Sequence, residues 1–427
     1  MRGPAVEAAE ASAGAGRPMG EVAAGLCPCC GAALQAPFHA HGPVPVHSCL
    51  MLDGAEAARR FPTGVLSLRA CGTCGFVTND AFDPAWSAYA PEYEDQQSFS
   101  PTFNSFAGRL ARDVVARLGM AGKRAVEVGC SKGDFLALLA EAGGMEGVGI
   151  DPSAVEGRVA APSRGSMRLI AEYYAPEHLS LPADLLVCRH TLEHIRPVAE
   201  TLRLMHRHVA QTPGAVLLME VPCATRLWAE AAFEDVYYEH CSYFTPGSLA
   251  RALRTAGFGV TDLRREYDDQ YLVAEAVADP AAGRMFEIEE APEVTLRDAA
   301  GYSAAAAARI EGWRARLEAV RAGGGTAAIW GSGSKCVAFL HALGREGPDD
   351  VPVEAIVDVN PHRAGKVAPG LGLPISRPEA LVALAPELIV AMNAIYLEEI
   401  RADCARMGLR AEVVALGAAP EGVRGAA

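Results

Sequence analysis

Two pairs of cysteines stand near the start of the chain, Cys27 with Cys30 and Cys71 with Cys74, each pair two residues apart and followed by glycine (Gly31, Gly75). A Cys-x-x-Cys turn lets two thiolates reach one ion, and two such turns complete the closed four-sulfur tetrahedron that suits structural zinc. The 40 residues between the pairs (31–70) exceed the spacing of common zinc fingers, so chance cysteines or a redox pair stand as the alternative. Cys29 lies inside the first pair, but adjacent residues rarely share one tetrahedral ion comfortably.

A second group follows at Lys123–Leu136, KRAVEVGCSKGDFL, which reads as a strand, a glycine-containing turn and a helix. Gly129 and Gly133 let a ligand approach backbone where a Cβ would clash, with Cys130 between them. Glu127 is a poor neighbour for pyrophosphate but would attract the cationic amino group of a methionine-like ligand. Asp151 ends the next strand 24 residues later and can accept from both hydroxyls of a ribose. Dinucleotide binding is the competing reading, and the absence of a Gly-x-Gly-x-x-Gly form argues against it. A buried strand ending at Cys188-Arg189-His190 and continuing into Leu192-Glu193-His194 supplies the third element, with His190 at its tip.

The third group is Phe233–Leu249, which packs Tyr237, Tyr238, Glu239, His240 and Tyr243 into seven positions. A histidine beside a carboxylate can be held in one tautomer and act as a general base near neutral pH. The bland alternative is a buried polar knot that stabilises a loop.

These elements together resemble class I methyltransferases, and the chain is similar to the sugar C-methyltransferase family, which includes tetronitrose C-3′-methyltransferase, over about residues 25–418. The resemblance implies a zinc domain, a methyltransferase domain and a Rossmann-like C-terminal domain, in this order. It assigns structural zinc to Cys27, Cys30, Cys71 and Cys74, and S-adenosyl-L-methionine to Glu127, Gly129, Cys130, Gly133, Asp151 and His190. The family's Tyr-x-Glu-His motif falls on Tyr237, Glu239 and His240. There the histidine is the proposed base that removes a proton beside a ketone, with tyrosine nearby. The implied acceptor is a small molecule such as a nucleotide-linked ketosugar. One departure stands out: where the sugar enzymes show a His-Gly-Gly-Ser-like turn, this chain has Arg265–Leu272, REYDDQYL, whose acids suit a different acceptor. Methylation of oxygen or nitrogen on another metabolite, and a non-catalytic cofactor-binding scaffold, are the alternatives.

Toward the C-terminus, Thr326–Lys335 (TAAIWGSGSK) runs from a strand into a Gly-x-Gly-x-Lys turn, and Asp358 ends the next strand. Gly331, Gly333, Lys335 and Asp358 resemble half of a dinucleotide fingerprint, with Cys336 where the third glycine would fall. In the related sugar enzymes this domain helps hold the nucleotide part of the substrate. A degenerate lobe that only braces its neighbour, or a nicotinamide-dependent reductase, are the competing readings.

The elements that must position these groups form an α/β chain of 427 residues. Short β-branched runs alternating with helical stretches predict parallel sheets. The expected divisions are a disordered leader (1–24), a zinc-binding domain (25–82), a methyltransferase domain (83–280), a helical linker (281–325) capped near Thr295, and a Rossmann-like substrate-binding domain (326–420). Half the residues are apolar, yet no run of about 18 suggests a membrane span. The leader lacks a signal peptide's apolar segment, so a cytoplasmic location is expected. A net charge of −14 argues against a nucleic-acid partner. Oligomeric state is not readable from these features.

Overall fold

The computed structural model describes residues 22–86 and 88–417, so the expected leader falls, up to residue 21, outside the described residues. The chain divides into two units that interleave in sequence: one holds residues up to Ala40, Leu66–Arg226 and Glu239–Ala300, the other His41–Val65, Leu227–Tyr238 and residues from Gly301 on.

In the first unit, β1 (Arg124–Val128), β2 (Glu146–Ile150), β3 (Ser166–Ile170), β4 (Leu185–Arg189), β5 (Val216–Pro222), β6 (Gly259–Glu266) and β7 (Tyr271–Val277) form one sheet ordered β6-β7-β5-β4-β1-β2-β3. The central strands are apolar on both faces because helices cover both; every residue of β4 is buried. Only β7 runs antiparallel, pairing with β6 and β5. The strand order reverses between β1 and β4, which opens a crevice at their carboxyl ends.

Helices α1 (Pro101–Arg117), α2 (Asp134–Gly143), α3 (Val198–Val209) and α4 (Pro246–Thr255) belong to this unit. The sequence marks the start of α4 plainly: the Thr245 side chain accepts from the Ser248 backbone, Ser248 returns the bond, and Pro246 fills the first turn. In the cysteine region, Leu68–Ala70 pairs antiparallel with Val77–Asn79, and Val77–Thr78 pairs in turn with Ser242–Tyr243.

The long helix α5 (Pro292–Ala322) begins three residues before Thr295, so Thr295 sits inside its first turn and does not cap it. Pro292 explains the earlier start, since proline's fixed φ suits the first helical position.

The second unit has its own parallel sheet, β8 (Ala327–Trp330), β9 (Ala355–Val357), β10 (Ile375–Ser376), β11 (Leu388–Ala391) and β12 (Glu412–Ala415), ordered β10-β9-β8-β11-β12. Helix α6 (Ser334–Leu343) follows β8. The segment Leu227–Tyr238 joins this unit through its aromatic residues, with Trp228 edge-on to Tyr302 and Phe233 stacked on Phe339.

Trp313 on α5 is fully buried and meets Phe339 edge-on at 5.7 Å. Truncating a large buried aromatic leaves a cavity the backbone cannot close. Trp313→Ala is expected to cost about 3–5 kcal/mol, read as a lower urea midpoint for the second unit's transition.

Candidate active site

The turn after β1 is built around a close approach. Gly129 has φ +71°, and a Cβ there would overlap Thr191 Oγ1, so only glycine fits. Gly133 (φ +92°) precedes α2 and releases the chain into the helix. Cys130 is buried; a Cβ on Gly149 would meet its sulfur at 2.5 Å, so the thiol fills space against β2. Asp151 spends one lone pair of each oxygen on the loops beside it, accepting from Ser131 N (2.8 Å) and Ser153 N (2.7 Å). Each oxygen keeps further acceptor capacity.

Glu127 is 2% exposed, and among the described residues its Oε2 has no hydrogen-bond partner. Burial pushes its carboxyl up to about 8. Next to it across the sheet lies a paired set of charges. Arg189, at the end of β4, donates two bonds of 3.0 Å to Glu220 on β5 and stacks its guanidinium 4.0 Å from the Phe135 ring centroid. Glu220 also faces His190 Nε2 at 2.7 Å. Burial pulls His190 toward neutrality, but Glu220 and Glu193 outweigh it and hold the imidazole at about 9. Burial likewise opposes the charge on Glu220, and Arg189 and His190 overcome that and keep it at about 2. His190 has φ +48°, a left-handed turn that costs a non-glycine residue about 1–3 kcal/mol.

A strap of irregular chain is tied to this crevice by side chains that sequence reading did not single out. Lys132, fully buried, donates to the carbonyls of Ser153 (2.5 Å) and Pro91 (3.3 Å). Ser131 Oγ donates to Asp95 (2.6 Å), and Gln96 donates to Asp134 (2.8 Å). Tyr89 OH lies 2.8 Å from His194 Nδ1. The region around Tyr89 carries no periodic pattern, so nothing in the sequence could have flagged it. Arg189 and Glu220 could have been found, because each lies in the carboxyl-terminal part of a strand that faces the crevice.

The Tyr-x-Glu-His motif is divided between the units: Tyr237 falls in the second, Glu239 and His240 in the first. His240 is 8% exposed, meets the His194 ring edge-on at 4.8 Å, and clusters with Glu193 and His194. Glu239 is fully buried and its charge reaches Tyr89. The strand that follows His240 is registered on the cysteine region: Thr78 Oγ1 and Asn79 N both donate to the carbonyl of Cys241 (2.7 and 3.0 Å). The β6–β7 turn lies at the same end of the sheet, since Tyr271 pairs with Pro222. There Tyr267, Asp268 and Asp269 all take left-handed conformations (φ 56–58°), and both aspartates are exposed.

The four cysteines of the two pairs come together. Cys27 Sγ lies 3.6 Å from Cys74 Sγ, Cys30 Sγ lies 3.6 Å from Cys71 Sγ, and all four sulfurs are within 4.8 Å of one another. Sulfurs about 2.3 Å from a tetrahedral zinc would be separated by about 3.8 Å. Each pair sits in a tight turn, with Gly31 N donating to Cys27 O and Gly75 N to Cys71 O (2.9 Å each). Cys29, although buried, is not one of the four.

The C-terminal turn is largely committed to its own unit. Lys335 Nζ pairs with Asp235 at 2.9 Å. Asp358 accepts from Ser332 N and Oγ and from Arg363 on Oδ2, and from Asn360 N on Oδ1. Gly331 keeps φ +103°, and a Cβ placed on it would come within 4 Å of Met392 side-chain atoms alone; Gly333 faces the Arg363 guanidinium.

Comparison with known proteins adds sequence relatives. The family model for the methyltransferase domain matches residues 103–263, and that for the C-methyltransferase C-terminal domain matches residues 272–414. The C-methyltransferase NovU of Streptomyces niveus is 29% identical over 307 residues, which span 67% of this chain and 70% of that protein. Among solved structures, the Burkholderia thailandensis 1,6-didemethyltoxoflavin-N1-methyltransferase with bound S-adenosylhomocysteine is 21% identical, covering 40% of this chain and 77% of its own, with a TM-score of 0.30. Human N-acetylserotonin methyltransferase, in complex with S-adenosylmethionine, is 16% identical, covering 42% and 53%, with a TM-score of 0.34. With the two domain matches and the curated relative joined to the sheet order described above, the chain is an S-adenosylmethionine-dependent class I methyltransferase that carries the C-terminal domain of the C-methyltransferases.

Proposed function

We propose that this methyltransferase transfers a methyl group to carbon of a nucleotide-linked ketosugar or related carbonyl metabolite, with His240 as the base. The observation that carries the reading is the buried His240, set beside His194 and Glu193 at the carboxyl end of the sheet. A carbon nucleophile needs a base and a stabilised enolate, whereas aligning the cofactor can suffice for an activated oxygen. His240 takes the proton from the carbon beside the acceptor's carbonyl, and the C–H electron pair stays on the acceptor as an enolate. Tyr237 and Glu239 flank it in sequence and complete the proposed catalytic set. When bound, S-adenosyl-L-methionine supplies an electrophilic methyl group to that carbon.

Glu127 suits the cofactor's ammonium, because its buried Oε2 lacks a partner that a cation would provide. Gly129 and Gly133 admit the ligand to the backbone, and Asp151 offers its spare lone pairs to ribose hydroxyls. Cys130, within that turn, and His190, at the tip of β4, complete the proposed cofactor-binding set. The acidic β6–β7 turn, strained where the sugar enzymes carry glycines, is proposed to select an acceptor of its own kind.

The cysteine region is proposed to hold structural zinc through Cys27, Cys30, Cys71 and Cys74, and so to anchor the strand after His240. The C-terminal unit is proposed to receive the nucleotide through the backbone of Gly331 and Gly333. A second reading, that this unit only braces its neighbour, is favoured by the commitment of Lys335 to Asp235 and of Asp358 to Ser332, Asn360 and Arg363. The protein is proposed to work in the cytoplasm; no helix among the described residues is long and apolar enough to cross a membrane.

Three outcomes are expected. Since Glu127 is held at about 8, most of it is protonated at pH 7, and a bound ammonium favours the carboxylate. Cofactor binding at pH 7 should therefore release about one proton and strengthen about tenfold from pH 6 to 7. Calorimetry in buffers of different ionisation enthalpy reads this, and Glu127→Gln should abolish it.

Metal analysis should find about one zinc per chain. Cys71→Ser should lose it and lower both Tm and turnover; metal-free protein with an unchanged Tm would refute the zinc assignment.

Finally, a panel of nucleoside-diphosphate ketosugars in deuterated water should include one whose α-proton exchanges with the wild-type protein, and His240→Gln should slow that exchange by about 10²–10⁴-fold. Methylation without any α-exchange, on oxygen or nitrogen, counts against the carbon reading.

A further inference from the structure

Glu193 is 1% exposed, and among the described residues neither of its carboxylate oxygens has a hydrogen-bond partner. A carboxylate buried in this way is costly unless positive charge lies close by. Three histidines are near it. His190 Nδ1 is 3.7 Å away, beyond hydrogen-bond range, and the other nitrogen of that ring faces Glu220 at 2.7 Å as an ion pair. A ring nitrogen from His194 and one from His240 join a Glu193 oxygen in a cluster whose members all lie within 4.8 Å of one another. His194 Nδ1 is occupied by Tyr89 OH. The Glu193 carbonyl is held in turn by Cys241 Sγ (3.5 Å), the residue after His240, which fixes the two loops together.

We propose that Glu193 is the counter-charge of the His240 base. It favours the imidazolium that forms when His240 takes a proton, and it acts through His240 without touching the acceptor, so it is a positioning residue. This inference rests on the carbon-methylation reading for its catalytic meaning. The balance is simple: the proton moves from the acceptor carbon to a ring nitrogen of His240, the electron pair stays on the acceptor as an enolate, and Glu193 remains a carboxylate. Favouring the imidazolium makes His240 a stronger base at the moment of proton transfer, because an opposite charge within about 4–6 Å raises an imidazole's proton affinity. Among the described residues, the titratable and charged groups around Glu193 and His240 include His190 and Cys188 at the end of β4, His194 in the turn of Glu193, Glu239, Cys241 and Tyr243 beside His240, and Tyr89 on the strap. Glu220 and Arg189 lie behind His190.

The test uses the full chain with ¹³C-labelled histidine, with the wild-type and His240→Gln spectra compared to identify the His240 signal. In Glu193→Gln the His240 titration midpoint should fall by about one pH unit, a tenfold loss of proton affinity. The kcat for α-proton exchange should fall about 10–100-fold, with cofactor Kd and acceptor KM unchanged. If the amide variant fails to fold, Glu193→Asp retains the charge at a shorter reach and should place the midpoint between the two. An unmoved His240 midpoint in either folded variant overturns the proposal, however fast exchange is. So does a divalent ion, additional to any at the cysteines, that is bound by wild-type protein and lost in Glu193→Gln, since the three residues would then be ligands. Absence of exchange by the wild-type protein refutes the carbon-methylation reading and leaves the imidazole titration to judge the pairing.

Discussion

At the carboxyl end of the central sheet, ionisable side chains are buried side by side: Glu127 on β1, Arg189 and His190 at the end of β4, Glu193 in the turn beyond, and Glu220 on β5. Buried charge is tolerated only when it is matched. Arg189 and His190 both serve Glu220, and His190 lies near Glu193 as well. Among the described residues Glu127 has no such pairing, and burial holds it protonated to about pH 8. A cation placed beside Glu127 would match the charge of its carboxylate.

This arrangement depends on how closely the backbone can be drawn together at the strand tips. Gly129 lets the β1 turn press on Thr191, whose hydroxyl donates to the Arg189 carbonyl (2.8 Å) at the head of the charged row. Gly147 and Gly149 leave room in β2 for Leu136 and for the Cys130 sulfur. Buried Lys132 then carries the effect outward, tying the Pro91 strap and the Ser153 turn to the same loop. The cysteine region reaches the site by a different route, through Thr78 and Asn79 holding the Cys241 carbonyl. The position of the residue after His240 is thereby fixed from the cysteine region.

The second unit has a glycine turn after β8 but uses its polar groups internally. Asp358 accepts from Ser332, Asn360 and Arg363, and Lys335 is neutralised by Asp235. In a buried network each member lowers the cost of the others, so such a turn is stiff before any ligand arrives. What it still offers a ligand is backbone at Gly331 and Gly333.

The two α/β sheets, the paired cysteines, the glycine turn after β1 and the acids at the ends of β1 and β2 were all legible along the chain. Those features are local: periodicity, glycine positions and paired spacing act over a few residues, so they can be read along the chain. Tertiary structure alone left one oxygen of Glu127 without a hydrogen-bond partner among the described residues while giving Glu220 two cations. It alone tied Tyr89 to His194, 105 positions away, and brought Glu193 to the His240 loop. It also turned Lys335 from a free cation into half of an ion pair and started α5 at Pro292. These outcomes depend on which strands become neighbours and how far each side chain is withdrawn from water, and dielectric environment and long-range pairing leave no periodic mark in a sequence.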